Sequence, residues 1–171
     1  MEESGYYFGF PHKLEAYPDS QKESAIVLEK MNNPDIEFFK LSDKSPKEPF
    51  IVYLKSKNLN YSKTELSNII KKSYPVIIRH KNYYNRPRPA QVNSKIIPAT
   101  STTAMTPSYP AGHTIQSYLL AEHLSSKYPK HKKEFFRIAK RIADARVSVG
   151  LHYPSDNEKG IELAKENAMF K

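Results

Sequence analysis

The chain has 171 residues, no cysteine, and 27 basic against 18 acidic residues, for a net charge of +9. That length fits a single domain, residues 1–171, with a core of its own, and the missing cysteines exclude disulfides and thiol catalysis. No apolar run reaches the roughly eighteen residues of a membrane-spanning helix, and the start Met1-Glu2-Glu3-Ser4-Gly5 lacks a basic-then-apolar leader, so the expectation is a soluble, cytoplasmic protein.

In chain order, residues 1–19 carry Tyr6, Tyr7, Phe8, Phe10 and Tyr17, with Pro11 and Pro18 as breakers, and read as an extended aromatic arm packed on a core. Ser20 can cap a helix over 21–31. A short helix follows Pro34 with Ile36, Phe38, Phe39 and Leu41, then a polar loop from Ser42 to Pro49. Residues 50–54, Phe-Ile-Val-Tyr-Leu, fit a strand or a buried helical turn equally well. Ser62-Lys63-Thr64-Glu65 has the form of a capping box opening a helix that Pro75 should end. A new helix from residue 75 would carry Lys81 until Pro87 and Pro89 stop it, with Lys81 and Arg88 returning to nearly one face. Residues 90–112 hold Pro98, Pro107, Pro110 and many hydroxyls, and read as a long loop delivering Gly112-His113. The next helix, 113–127, is apolar on several sides and should be buried. Another spans 132–147, and Ser155-Asp156-Asn157-Glu158 offers a capping box for a closing helix through about residue 169.

Three segments carry chemistry: Lys81, six residues, Arg88-Pro89; Pro110-Ala111-Gly112-His113; and Arg146, five residues, His152, three residues, Asp156. The cations suit a multiply charged oxyanion, and paired imidazoles beside a carboxylate suit covalent catalysis, which together suggest phosphoryl transfer. Gly112 lets the backbone approach an anion, and free amides at the start of the following helix would face it. Arg86-Pro87 competes as an Arg-Pro unit but lies two residues too close to Lys81, so Arg86 reads as a helix-end cation. His12, His80, His123 and His131 read as ordinary core or surface histidines. Tyr109 and Tyr153 flank the two motif histidines and suit either pocket walls or core packing.

The three motifs resemble the signature of the phosphatidic acid phosphatase type 2 superfamily, which includes class A acid phosphatases and vanadium haloperoxidases. The resemblance covers the motif-bearing core, about residues 75–165. It implies an all-α, single-domain helical bundle of the acid phosphatase/vanadium haloperoxidase type. It also implies a metal-independent phosphomonoesterase, with His152 attacking phosphorus to form a phosphohistidine. His113 would serve as acid and then base, Asp156 would fix the His152 tautomer, and Lys81, Arg88, Gly112 and Arg146 would bind phosphate. No cofactor is expected, and vanadate should act as a phosphate mimic. Two positions depart from the pattern: Ala111 and Ala145 stand where the family has serines. Ser108 or Thr114 would be the nearest hydroxyls to replace the one missing at 111.

The expected partner is a small soluble phosphate ester, with homo-oligomerisation left open. The competing readings are a vanadium-dependent haloperoxidase, for which the chain is short, and a lipid or polyprenyl phosphate phosphatase at a membrane surface. A third is a basic nucleic-acid-binding protein without turnover, which explains the charge but leaves the motifs as coincidence. Lysine runs such as Lys130-His131-Lys132-Lys133 read first as a solvated face.

Overall fold

The computed structural model describes residues 16–168, so most of the aromatic arm lies outside the described residues. Among the described residues eight α-helices follow one another: α1 Ser20–Lys30, α2 Ile36–Asp43, α3 Lys47–Ser56, α4 Lys63–Tyr84, α5 Pro89–Val92, α6 Gly112–Lys127, α7 Lys132–Ser148 and α8 Pro154–Ala168. A 3₁₀ turn, Pro129–His131, joins α6 to α7. No strand occurs among the described residues, as an all-α bundle requires.

Helix α6 is the axis of the bundle, packed against α4, α7 and α8. Ile115, Leu119, Leu120, Ala121 and Leu124 are all buried, and so are the small polar side chains Ser117 and Ser125. A helix surrounded on three sides cannot keep a polar stripe, which is why its sequence is apolar on several faces. The main core joins α3, α4, α6 and α7 through Phe50, Leu54, Leu66, Ile70, Leu120, Phe135 and Ile142. A smaller cluster, Ile77, Ile115, Leu119, Leu163 and Ala164, binds α8 into the groove between α4 and α6.

Several boundaries differ from the sequence expectation. Pro75 does not end a helix, because α4 runs through it for 22 residues. Proline removes one intrahelical bond, to the carbonyl four residues earlier, but Lys71, Lys72, Tyr74 and Pro75 all face solvent. Water can satisfy the freed carbonyl there, while Leu66, Ile70 and Ile77 hold both halves on the core. The helix stops instead at Asn85, whose left-handed backbone (φ 44°) closes it with an N–H bond to the Lys81 carbonyl.

The stretch Ser42 to Pro49 is mostly helical rather than a loop. Ser42 is buried and its hydroxyl donates to the Phe38 carbonyl, so a polar residue is satisfied inside α2. Pro49 falls in the first turn of α3, where its missing N–H has no helical partner to lose. Residues 50–54 are thereby helical and buried on one side. At α1 the cap is Asp19, whose carboxylate accepts from the Gln21 and Lys22 amides, not Ser20. The Ser62 cap is as expected, accepting from the Glu65 amide at 3.2 Å. At α8 the Ser155 box does not form. The helix starts one residue earlier, at Pro154, and Asp156 reaches back to the Tyr153 amide at 3.0 Å.

The turn that follows α7 passes through Gly150 with φ +79°, where a Cβ would meet Ile96 at 2.9 Å and Met31 at 3.0 Å. Only glycine fits both the conformation and the space, and this turn delivers Leu151-His152 to the site. Gly150→Ala should therefore destabilise the fold by about 1–3 kcal/mol, combining left-handed strain with a steric clash. Chemical denaturation would measure it, and an unchanged midpoint would show that the turn has another conformation available.

Candidate active site

The three motifs converge on one pocket of about 140 Å³ at one end of the bundle. Lys81 comes from the last turn of α4, Arg88 caps α5, Gly112-His113 opens α6, Arg146 closes α7, and His152 precedes α8. Gly112 sits where α6 meets α4, since a Cβ there would lie 3.3 Å from Ile77 and 3.9 Å from the Lys81 side chain. That close approach brings the first turn of α6 to the Lys81 ammonium.

His152 is held in one tautomer. Its Nδ1 lies 2.9 Å from Asp156 Oδ2, and since a carboxylate accepts, the proton is on Nδ1. Nε2 is then the bare nitrogen, and it accepts from Arg88 Nη1 at 3.2 Å. Burial lowers the His152 pKa well below its ordinary value, and Arg88, Lys81 and Arg146 lower it further, so the ring is neutral. Asp156 is fully buried. Burial raises its pKa, opposed by the Arg86 guanidinium, the Ser108 hydroxyl at 2.5 Å and the Tyr153 amide. With these donors on both oxygens, the arrangement is built to hold the carboxylate form.

His113 stands on the opposite side of the chemistry. Its Nε2–H donates to the Asp43 carbonyl at 2.7 Å, which leaves Nδ1 as the ring nitrogen free to exchange a proton. Burial, then the charge of Arg146, lowers its pKa to about 3.

Lys81 is 4% exposed, and its ammonium donates to the carbonyls of Pro107 and Ser108 at 2.5 and 3.2 Å. Burial, then Arg88, lowers its pKa to about 7. Arg88 donates to the Thr106 and Leu151 carbonyls, and burial followed by Arg146 brings its pKa to about 10. Neither Lys81 nor Arg88 forms an ion pair among the described residues. Arg146 does, with Asp43 at 2.8 Å, yet its buried Nε has no hydrogen-bond partner among the described residues. Three cations that raise one another's energy, with only Arg146 paired to a carboxylate among the described residues, describe an anion site.

Some functional residues escaped the sequence reading. Asp43 anchors both Arg146 and His113, and accepts from Ser101 at 2.6 Å; burial pushes its pKa up, but these donors bring it below the ordinary value. It was hidden in the stretch read as a polar loop, with no spacing to tie it to the motifs. Arg86 is no helix-end cation. It is 0% exposed and paired with Asp156 at 2.8 Å and Glu23 at 2.6 Å.

Tyr109 and Tyr153 pack around that guanidinium, with Tyr153 3.8 Å beneath it, so their role is core packing rather than pocket wall. The bland reading of three other histidines fits: His80 bonds the Val76 carbonyl, His123 pairs with Glu65, and His131 bonds Tyr53. His12 lies outside the described residues.

Ala111 is fully buried at the N-cap of α6, and its amide donates to the Asp156 carbonyl at 3.0 Å. Neither replacement hydroxyl is free for an oxyanion, because Ser108 serves Asp156 and Thr114 donates to Asn157 at 2.7 Å. Ala145 is buried in the cluster of Phe39, Val149 and Leu151, where a hydroxyl would meet an apolar surface.

Among the described residues no helix is long and apolar enough to cross a membrane. The architecture is nonetheless similar to the crystal structure of a transmembrane PAP2-type phosphatidylglycerolphosphate phosphatase from Bacillus subtilis. The TM-score is 0.57 at 21% identity, covering 84% of this chain and 79% of that one. In sequence, the chain is 35% identical over 99 residues to a non-specific acid phosphatase of Salmonella typhi, covering 56% of this chain and 40% of that protein. The matched segment thus spans two fifths of the relative's length. The profile of the PAP2 superfamily matches residues 65–164, the span holding every motif residue that the fold gathers around the pocket. The chain belongs to the PAP2 superfamily.

Proposed function

We propose that the protein is a metal-independent phosphomonoesterase, a phosphoric monoester hydrolase acting on small soluble phosphate esters through a phosphohistidine. The observation that carries this reading is the cluster of Lys81, Arg88 and Arg146 around a tautomer-fixed His152, with charge to spare for a dianion. In the reaction, Arg88 leaves the His152 lone pair for the phosphoryl oxygens, and Nε2 attacks phosphorus in line with the departing alcohol. The P–N bond forms as the P–O bond breaks, and His113, protonated on Nδ1 once the bound dianion has restored its charge, gives that proton to the departing alcohol. Water, deprotonated by the same nitrogen, then attacks phosphorus and returns His152 to its neutral form.

The guanidinium forks and the Lys81 ammonium neutralise the equatorial oxygens throughout. Asp156 stabilises the charge that the His152 ring acquires on bonding phosphorus. Tyr74 and Ile78 of α4 line the pocket together with Lys44 and Ser45, so the ester's body would meet both apolar and polar groups. The relative's description as a non-specific acid phosphatase agrees with this reading.

The direct test is a panel of phosphomonoesters, nucleotides and diphosphates assayed in EDTA. Wild-type enzyme should turn over, and His152→Ala should lose at least about 10³-fold in kcat while remaining folded. His113→Ala should cost about 10²–10⁴-fold on alkyl esters and less on aryl esters with good leaving groups. Equal losses on both ester classes would remove His113 as the acid, and retained turnover in His152→Ala would remove the phosphohistidine.

The buried cations and His113 also predict a pH signature. Lys81 is lowered from 10.5 to about 7 by burial and Arg88, and His113 from 6.5 to about 3 by burial and Arg146. For bases depressed by folding, the unfolded chain binds more protons, so stability falls as pH drops. The loss runs from 10.5 to about 7 for Lys81 and from 6.5 to about 3 for His113. An oxyanion restores the charged forms, so phosphate or vanadate should bind with proton uptake and raise Tm more at pH 6 than at pH 9. Calorimetry in two buffers of different ionisation enthalpy measures the uptake, and proton release on binding would contradict it.

A further inference from the structure

Arg86 and Arg146 are the two largest fully buried side chains among the described residues, and of the two only Arg146 lines the phosphate pocket. All of the Arg86 donor groups are engaged. Nη1 donates to Asp156 Oδ1 at 2.8 Å and Ser155 Oγ at 2.7 Å, Nη2 to Glu23 Oε2 at 2.6 Å and the Pro18 carbonyl at 3.1 Å, and Nε to Ser20 Oγ at 3.0 Å. Tyr153 lies against its plane at 3.8 Å, and Tyr17 and Tyr109 close the box at 5.0 and 5.7 Å. The other oxygen of Asp156 takes the His152 Nδ1–H. An unbroken chain of hydrogen bonds therefore runs from the partly exposed Glu23 on α1 through the buried Arg86 and Asp156 to His152.

We propose that Arg86 is a positioning residue for His152, acting through Asp156, and that Glu23 sets how strongly it acts. The proposal rests on the phosphatase reading above. A planar guanidinium fixed by five bonds and three rings has one orientation, so it dictates where the Asp156 carboxylate points. That in turn fixes the ring and tautomer of His152, leaving Nε2 aimed at the pocket. The effect is also one of charge. Arg86 favours the anionic carboxylate and so lowers the proton affinity of the Asp156–His152 pair, while Glu23 partly cancels Arg86 and raises it. The other charges facing the pair come from Lys81 on α4, Arg88 at α5, His113 on α6 and Arg146 on α7, and they remain the same when either Arg86 or Glu23 is changed.

The test compares Arg86→Gln with Glu23→Gln, measuring kcat per folded molecule, the inhibition constant of inorganic phosphate, and the pH profile of kcat/KM on an aryl phosphate. Arg86→Gln should lose at least about tenfold in kcat with phosphate inhibition within about threefold, because the pocket cations are untouched. Its acid limb should move to higher pH. Glu23→Gln should move that limb to lower pH with little loss of kcat, since the uncancelled guanidinium then faces Asp156 alone.

Opposite shifts would support positioning. A purely structural Arg86 would lower the yield of folded protein and leave kcat and the profile of the folded fraction unchanged, which would overturn the proposal. If Arg86→Gln does not fold, Glu23→Gln decides the matter, because Glu23 is partly exposed and its amide still accepts from Ser155. A limb that stays in place or moves up in that variant would also overturn it. Wild-type protein without turnover would refute the phosphatase reading, and this proposal with it.

Discussion

The Asp156 carboxylate is the point on which the rest of the structure depends. It is fully buried, and it takes Arg86 on one oxygen and His152, Ser108 and the Tyr153 amide on the other. Those partners come from the end of α4, the long loop before α6, and the segment entering α8. Its backbone carbonyl also receives the Ala111 amide at the N-cap of α6. A buried charge is tolerated only when its environment is complete, so one carboxylate obliges four segments to meet. The consequence is geometric: the residue that orients His152 also ties the long loop before α6 and two helix starts together.

Around that anion the fold spends stability on a cluster of cations that its own carboxylates only partly neutralise. Lys81, Arg88 and Arg146 sit close enough to depress one another, and both motif histidines are held neutral by burial and by those same cations. Asp43 compensates only Arg146, while also receiving the His113 ring on its carbonyl. Such an arrangement is expensive without a ligand and favourable with one, as preorganised electrostatic stabilisation demands. It also separates the roles of two chemically identical rings. His152 has its Nδ1–H given to a carboxylate and its Nε2 bare, whereas His113 has its Nε2–H given to a carbonyl and its Nδ1 available.

Much of this was legible in the sequence because motif spacing survives folding. The fold gathers Lys81, Arg88, Gly112, His113, Arg146 and His152 around the pocket with Asp156 behind His152, as the motif pattern implied, and the all-helical bundle is the one the family resemblance implied. What stayed hidden was contextual. Pro75 reads as a helix end unless one knows that its turn faces water, and Ser42-Asp43 reads as loop unless one knows that the hydroxyl bonds back into α2. Arg86 looks like a spare cation because its partners, Glu23 and Asp156, lie 63 and 70 residues away. Long-range ion pairs carry no local signature, so the supporting charges were invisible where the reacting groups were plain.

The central claim is that His152 Nε2, fixed by Asp156, bonds to phosphorus. Mixing the enzyme with an aryl phosphate and quenching within milliseconds in base would trap the intermediate, and peptide mapping would locate it. The account predicts a base-stable, acid-labile phosphoryl group on the peptide carrying His152, formed and lost at rates compatible with turnover. Turnover with no trapped phosphoryl group, or with the label on His113 or a hydroxyl, would contradict it.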